Sequence, residues 1–367
     1  MKHIVIDSRH LGSSTGVYMQ NLLKHLNTLP HENLRFSALV PRAEVSHWQK
    51  QLPNIAIVGA DHKWYSTSEQ LLLPWKLYSL RPNLVHFCMP QQPLLYIGKR
   101  VTTIHDLTLV RYENVDMNPA IYRMRKGVFV ALLRNVIARS KAIITGTQFV
   151  RDDIVAWTKE KYRDKMTVTL EAGDPLASEA ETVEKLADKK FLFYVGNAFP
   201  YKNLDRIVDA YRLVKASHPD LQLVFAGKKD YFYEQIERRV SQEGIADVHI
   251  LGFVSEGEKR WLFQNAVAYI VSSLSEGFHI PGLEAMYEGC PVISSSATCL
   301  PEVYEDAALY FNPRDTEELA AQIETVITNT NVRKRLKNKG YKQVKKYSWR
   351  RMAEQTLEVY RKVLEED

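Results

Sequence analysis

Ten short apolar runs, separated by longer amphipathic stretches, restrict this chain to an α/β architecture. In the first half they are HIVID (residues 3–7), RFSALV (35–40), LVHF (84–87), VTTIHD (101–106) and AIITG (142–146). The second half repeats the pattern with FLFYVG (191–196), LQLVFAG (221–227), VHILGF (248–253), VAYIVSS (267–273) and PVISS (291–295). Runs this short and continuously apolar suit strands buried on both faces, and the long connections suit crossover helices of parallel sheets. Between the halves, LASEAETVEKLADKK (176–190) is polar, carries no strand signal and reads as a linker. With 367 residues the chain exceeds what one core usually serves. We therefore expect two domains, 1–175 and 188–349. SWRRMAEQTLEVYRKVLEE (348–366) reads as a final helix with Ser348 as its N-cap.

Cysteine usage and hydropathy narrow the class further. Cys88, Cys290 and Cys299 are odd in number and lack CxxC or zinc-type spacing, so a reduced compartment, core or strand-end thiols and no structural metal are expected. The apolar run of MKHIVIDSRH stops at Asp7, and no uninterrupted 18-residue apolar segment follows, so neither export nor a membrane span is indicated. A cytoplasmic enzyme is expected, either free or peripheral on the inner face of the membrane.

Chemistry concentrates in SEGFHIPGLEAM (275–286), which holds Glu276 and Glu284 with seven residues between them. Gly277 and Pro281 would break one helix through both carboxylates, so the segment reads as strand, loop, helix, with Pro281 in the first turn. Glu276 then lies on the loop and Glu284 on the helix. The backbone N–H groups of Gly277, Phe278, His279 and Ile280 would point outside the strand's carboxyl end, where open α/β sheets bind ligands and helix starts bind anions. The Gly12-Ser13-Ser14-Thr15-Gly16 turn allows a similarly close backbone approach, with Gly16 opening a helix. No GxGxxG follows the first strand, which argues against a nicotinamide-dependent dehydrogenase.

SEGFHIPGLEAM resembles the E-x7-E motif of retaining GT-B glycosyltransferases of the large family four. The resemblance extends along nearly the whole chain. LGSSTGVYMQNLL (11–23), TTIHDLTLV (102–110), ARSKAIITGTQFVRDDI (138–154) and FYVGNAFPYKNLDRIVDAY (193–211) follow in the family's order. LGFVSEGEKRWLFQNAVAYIVSSLSEGF and GCPVISSSATCLPEVYEDAALYFNPRDTEELAAQI complete it down to residue 323. The resemblance implies a GT-B fold, with two Rossmann-like domains facing each other across a cleft and a last helix, about 350–367, crossing back onto the first. It implies a retaining α-glycosyltransferase that moves a hexose from a nucleotide-diphospho-sugar to a glycan or lipid-linked acceptor in glycoconjugate assembly. GDP-mannose is the first donor to test, and a UDP-hexose or UDP-N-acetylhexosamine is the alternative. A non-catalytic nucleotide-sugar-binding protein of the same fold is the other reading.

Residue by residue, the resemblance places Lys202 at the leaving diphosphate, His105 against the donor's hydroxyl and diphosphate, and Glu276 on sugar hydroxyls. Glu284 would hold the ribose. Gly196 and Asn197 would lie at the phosphates, where many relatives carry an arginine directly after the glycine, so backbone amides and Lys202 would bear more of the charge. Val254, within the stretch 252–255, would lie beside the nucleobase, and Phe253 reads as either nucleobase neighbour or core. His279 stands where a glycine is common. Asp106 is expected to orient local backbone or the histidine. No Asp-x-Asp pair occurs in the sequence, so no metal and no other cofactor is expected.

The net charge of +6 is uneven. No acidic residue lies between Asp116 and Asp152, while Arg123, Arg125, Lys126, Arg134, Arg139, Lys141 and Arg151 interleave with apolar residues. That stretch reads as an amphipathic helix whose basic face is simply solvated, borders the active site, or meets an anionic membrane. A second basic run, 332–351, reads as a solvated surface helix. Nothing resembles a nucleic-acid-binding module.

Overall fold

The computed structural model describes residues 1–12, 15–64, 66–113 and 119–366. Two compact units emerge. The first comprises residues 1–107, 119–171 and 348–367, and the second comprises 108–118 and 172–347. The polar segment 176–190 belongs to the second unit rather than standing between two bodies.

The first unit is built on strands β1 (Lys2–Asp7), β2 (Leu34–Val40), β3 (Ile55–Gly59), β4 (Leu84–Phe87), β5 (Arg100–Thr103), β6 (Ala142–Thr145) and β7 (Met166–Val168). They run in the order β3-β2-β1-β4-β5-β6-β7, and every pairing is parallel. The helix Trp349–Glu365, capped by Ser348, belongs to this unit and buries Trp349, Met352, Leu357, Tyr360 and Val363. The Tyr360 hydroxyl lies 2.6 Å from His86 Nδ1 in the core.

The second unit holds β8 (Lys190–Val195), β9 (Leu221–Ala226), β10 (Val248–Ile250), β11 (Ala268–Val271), β12 (Val292–Ser295) and β13 (Ala308–Phe311). Their order is β10-β9-β8-β11-β12-β13, again wholly parallel. In both sheets the strand order turns back at one point, β1 beside β4 and β8 beside β11. Ligands of open α/β sheets bind outside the carboxyl ends of strands at that point.

Three strands lie outside the ten runs named from sequence: β3, β7 and β13. Each lies at a sheet edge. β3 (IAIVG) and β13 (ALYF) are themselves apolar, and β7 has only three residues. The basic helix Pro119–Arg139 also departs from expectation. Its apolar side chains are buried only in the second half, at Leu132, Leu133, Val136 and Ile137, while Ile121, Met124 and Val128 are exposed beside the cations. It is therefore not divided into a basic and a buried face. The basic run 332–351 is likewise not one helix. Thr330–Gln343 ends in a 3₁₀ turn, and Ser348 caps a new helix. Among the described residues no helix is long and apolar enough to cross a membrane. All three cysteines are buried, and none forms a disulfide.

Candidate active site

In the second unit the loops leaving β8 and β11 are neighbours because their strands pair at the switch point. They are stitched together by backbone and short polar side chains. Leu274 N donates to Tyr201 O at 2.7 Å, Ser272 Oγ to Lys202 O at 2.6 Å, and Asn203 Nδ2 to Ser272 O at 3.2 Å. Asn203 can serve because its φ of 59° is one that Asn tolerates better than most residues. The consequence is that Lys202 Nζ meets Glu276 Oε1 at 2.6 Å, a pair with side-chain exposures of only 13% and 9%.

Glu276 is held on every side. Ser273 Oγ donates to the same Oε1 at 2.5 Å, its own N–H donates to Thr298 Oγ1 at 3.0 Å, and Cys299 Sγ reaches its carbonyl at 3.3 Å. Burial alone would raise its pKa. The charge of Lys202 and the hydrogen bonds from Lys202 and Ser273 outweigh that and hold it below the ordinary glutamate value. The carboxylate is thus fixed in its ionised form in a nearly buried position.

The helix Ile280–Tyr287 starts as the Gly/Pro pattern requires, with Pro281 in its first turn and His279 as N-cap. Glu276 lies on the loop and Glu284 on the helix. The first N–H groups of such a helix have no intrahelical acceptor. His279 takes φ 72°, a left-handed conformation that disfavours side chains and explains why glycine suits the position. Its ring nonetheless has a defined place. Tyr304 Oη lies 2.6 Å from Nδ1 and donates to the His279 carbonyl at 2.9 Å. With the Tyr304 proton on that carbonyl, Nδ1 carries the ring proton, and Nε2, 3.9 Å from Glu276 Oε1, is a lone-pair acceptor. Burial pushes the His279 pKa down to about 4 despite Glu276, so the ring is neutral near pH 7.

Glu284 is gripped by Lys259, whose Nζ lies 3.1 and 3.0 Å from its two oxygens. Lys259 stands on the helix Glu256–Asn265, fixed by a capping box between Ser255 and Glu258. The sequence reading passed over Lys259. The S-x-x-E signature locates the helix start, but nothing in it shows that this lysine faces Glu284. Val254 is half-buried just before that helix, after Gly252 with φ 77°. Phe253 is 87% exposed and is not core. Phe278 points the other way, buried with its ring 5.4 Å from that of Tyr347, so only its backbone can serve a ligand. Ile280 and Gly277 flank the same turn, Ile280 partly and Gly277 fully buried. At the end of β8, Tyr233 Oη donates to the Gly196 carbonyl at 2.9 Å and Tyr194 Oη to that of Asn197 at 2.6 Å. These bonds pin the turn and leave the Asn197 side chain to accept from Phe199 N.

His105 and Gly16 belong to the first unit. Gly16 opens the helix Gly16–Leu26 against the Leu11 carbonyl, where an added Cβ would come within 1.8 Å of the oxygen. Ser13 and Ser14 of the same turn lie outside the described residues. His105 follows β5. Its Nδ1 lies 3.0 Å from Glu171 Oε1 and its Nε2 3.1 Å from Cys88 O. Both partners accept, so both ring nitrogens donate and the ring is cationic. Burial would lower its pKa, but Glu171 and the Cys88 carbonyl raise it above the ordinary value. A ligand that bonds to this ring must displace one of the two. Glu171 was not a candidate from sequence, because only folding brings it to His105. Asp106 adds a further charge that favours the cation. Among the described residues no group of three or more His, Cys, Asp or Glu is placed to hold a metal ion.

The chain as a whole is similar to known proteins. The chain is 27% identical over 301 residues to the O-antigen chain mannosyltransferase B of Escherichia coli, which covers 78% of this chain and 76% of that protein. It is 27% identical over 269 residues to the O-antigen chain mannosyltransferase RfbU of Salmonella typhimurium, over 71% and 72% of the two. Its fold matches that of sucrose-phosphate synthase from Thermosynechococcus elongatus with a TM-score of 0.77, over 99% of both chains at 17% identity. Residues 178–343, which carry Lys202, Lys259, Glu276 and Glu284, match the model of the glycosyl transferases group 1. Residues 178–343 thus form a domain of the glycosyl transferases group 1 type, and the chain has a GT-B fold.

Proposed function

We propose that this protein is a retaining α-mannosyltransferase that moves mannose from GDP-mannose to a glycan or lipid-linked acceptor during assembly of a surface polysaccharide. The single observation that carries the reaction is the buried Lys202–Glu276 pair at the switch point of the second sheet. The names of the O-antigen mannosyltransferases it resembles support the sugar and the setting.

Breaking the anomeric C–O bond loads negative charge onto the diphosphate. Lys202 and the Ile280 amide, which opens the helix Ile280–Tyr287 just before Pro281, are the groups that stabilise it. Glu276 Oε2 accepts from a sugar hydroxyl, and His279 Nε2 is a second acceptor beside it. Glu284, kept in place by Lys259, takes the ribose hydroxyls. In the first unit His105 is a cationic hydrogen-bonding group beyond the carboxyl end of β5. Retention follows a front-face course. As the sugar–oxygen bond breaks, the acceptor oxygen bonds to the same face of the anomeric carbon, and its proton passes to the departing diphosphate oxygen. No protein nucleophile and no divalent metal enter this course, so turnover should persist in the presence of a chelator.

The test is a donor panel of GDP-mannose and UDP-sugars, read by thermal shift and by transfer to acceptor. GDP-mannose should raise the melting temperature of the wild type and much less that of Glu284→Ala. Lys202→Ala should lower turnover about 10²-fold or more. Turnover equal to wild type in that variant, or stabilisation by UDP-sugars alone, would overturn the corresponding assignment.

A further inference from the structure

The second unit contains a cavity of about 560 Å³ at the end of its sheet opposite the candidate active site. Its floor lies where strands begin. Lys190 opens β8 and pairs in register with Leu221, which opens β9, while Val267 leads into β11 and Pro291 into β12. All these strands are parallel, and Lys202 and Glu276 follow the carboxyl ends of β8 and β11. The six residues of β8 alone set the two ends of the sheet roughly 20 Å apart. The walls are the turn after the helix Leu204–Lys215, with His218 and Asp220, and the helices Thr316–Thr328 and Thr330–Gln343.

Charge in this cavity is one-sided. Lys190, Arg333, Lys334 and Lys337 line it against Asp220, while His218 is engaged by Glu324 at 2.8 Å. Elsewhere in the unit Lys215, Arg239, Lys259, Arg260, Lys339 and Lys346 each meet a carboxylate at 3.1 Å or less. Among the described residues Lys190, Lys334 and Lys337 have no such ion pair. Arg333 is held in place, its Nη1 donating to the Val326 and Ile327 carbonyls at 2.5 and 2.8 Å. Lys337 reaches the floor, where a Cβ on Gly289 would lie 2.7 Å from its Cε and 3.0 Å from its Nζ. The first amides of the helix Thr330–Gln343 are taken by its cap Asn329, so the side-chain cations are the groups left to receive an anion. Cations gathered without carboxylates repel one another, and a bound anion relieves that repulsion. The rest of the lining is apolar, at Leu221, Val267, Pro291 and Ile327, and the volume is that of a small-molecule site. A single inorganic ion would fill only a corner of it.

We propose that this cavity binds a phosphorylated small molecule of nucleotide size, with its phosphates on Lys334 and Lys337 and its ring or apolar body against Val267 and Ile327. The inference does not rest on the identity of the donor or on the reaction proposed above. The site shares no residue with the group around Lys202, Glu276 and Glu284.

The experiment is calorimetric titration of the whole protein, as wild type and as Lys202→Ala, with ADP and with inorganic pyrophosphate, alongside acetylation of lysines read by mass spectrometry. ADP should bind Lys202→Ala with a dissociation constant of about 1 mM or tighter, and more weakly as salt is raised. It should slow acetylation of Lys334 and Lys337 while leaving the exposed Lys24 of the first unit unchanged. Pyrophosphate should bind less tightly than ADP, because it leaves the apolar part of the cavity empty. Lys334→Glu/Lys337→Glu should weaken ADP about tenfold or more, with an unchanged melting temperature because both side chains are exposed. Lys190→Glu, on the floor rather than the wall, should act in the same direction. Absence of ADP binding and of protection, or ADP binding that survives the double variant undiminished, would overturn the proposal. Protection of Lys24 equal to that of Lys334 and Lys337 would do so as well, as would pyrophosphate binding as tightly as ADP.

Discussion

His105 owes its charge to two acceptors that its own sequence neighbourhood does not announce. Cys88 O and Glu171 Oε1 lie on opposite sides of the ring, so removing the negative partner should reverse the balance between burial and pairing. A histidine whose folded pKa is raised contributes stability that is full below its unfolded value of about 6.5 and is lost as pH climbs through the folded pKa. In Glu171→Gln the burial effect prevails and that contribution disappears. The stability gap between wild type and Glu171→Gln should therefore be widest near pH 6 and shrink towards pH 9. Urea denaturation across that range measures it, and a gap independent of pH would mean that His105 is neutral in the folded protein. The position of His105 at a strand end was plain from the run VTTIHD. Its partner was not, because 66 residues separate the two and no local pattern encodes a contact made by folding. The same holds for Lys202 and Glu276, 74 residues apart: each stood out by its own motif, but their direct pairing did not.

Between elements, the short helix carrying Glu284 is positioned by a glycine. A Cβ at Gly282 would lie 2.1 Å from the hydroxyl of Tyr304, which belongs to the helix Leu300–Tyr304 and is fully buried. Tyr304 cannot stay where it is in Gly282→Ala, and its bonds to the ring and carbonyl of His279 must break with it. Overpacking of this kind costs about 1–3 kcal/mol, and here the hydrogen bonds are lost as well. Gly282→Ala should thus destabilise by roughly 2 kcal/mol or more in chemical denaturation. Tyr304→Phe, which keeps the ring and removes only the hydroxyl, should cost about 1 kcal/mol. Equal stability of Gly282→Ala and wild type would show that the two helices have room to separate. Pro281 and Gly277 revealed from sequence where this helix begins, because they act through backbone geometry. Of the edge strands, β7 is too short at three residues to show a pattern, whereas β3 (IAIVG) and β13 (ALYF) carry an apolar run as plain as those of the central strands. The basic helix misled because alternating charge and apolarity reads as two-faced even when tertiary contacts cover only its second half.

At the scale of the whole molecule, the chain order of the domains differs from their ownership of the core. The last helix follows the second unit in sequence and completes the first, where Tyr360 reaches His86 and packs 6.3 Å from the Phe36 ring. Sequence offered the helix and its Ser348 cap, and the family resemblance, rather than any local pattern, suggested that it returns. Each unit has its own sheet and core, with Leu73, Val85 and Phe87 in the first and Ile207, Phe225 and Ile270 in the second. Perturbations should accordingly sort by unit. Tyr360→Ala empties a fully buried aromatic site and strands His86, a change that costs about 3–5 kcal/mol. In calorimetry it should lower a transition belonging to the first unit. GDP-mannose, whose proposed contacts from Lys202, Glu276 and Glu284 all lie in the second, should raise the other transition even in that variant. If both changes instead move one common transition by comparable amounts, the units unfold as a single cooperative body, and stability at the Lys202–Glu276 pair then depends on a helix that belongs to the other core.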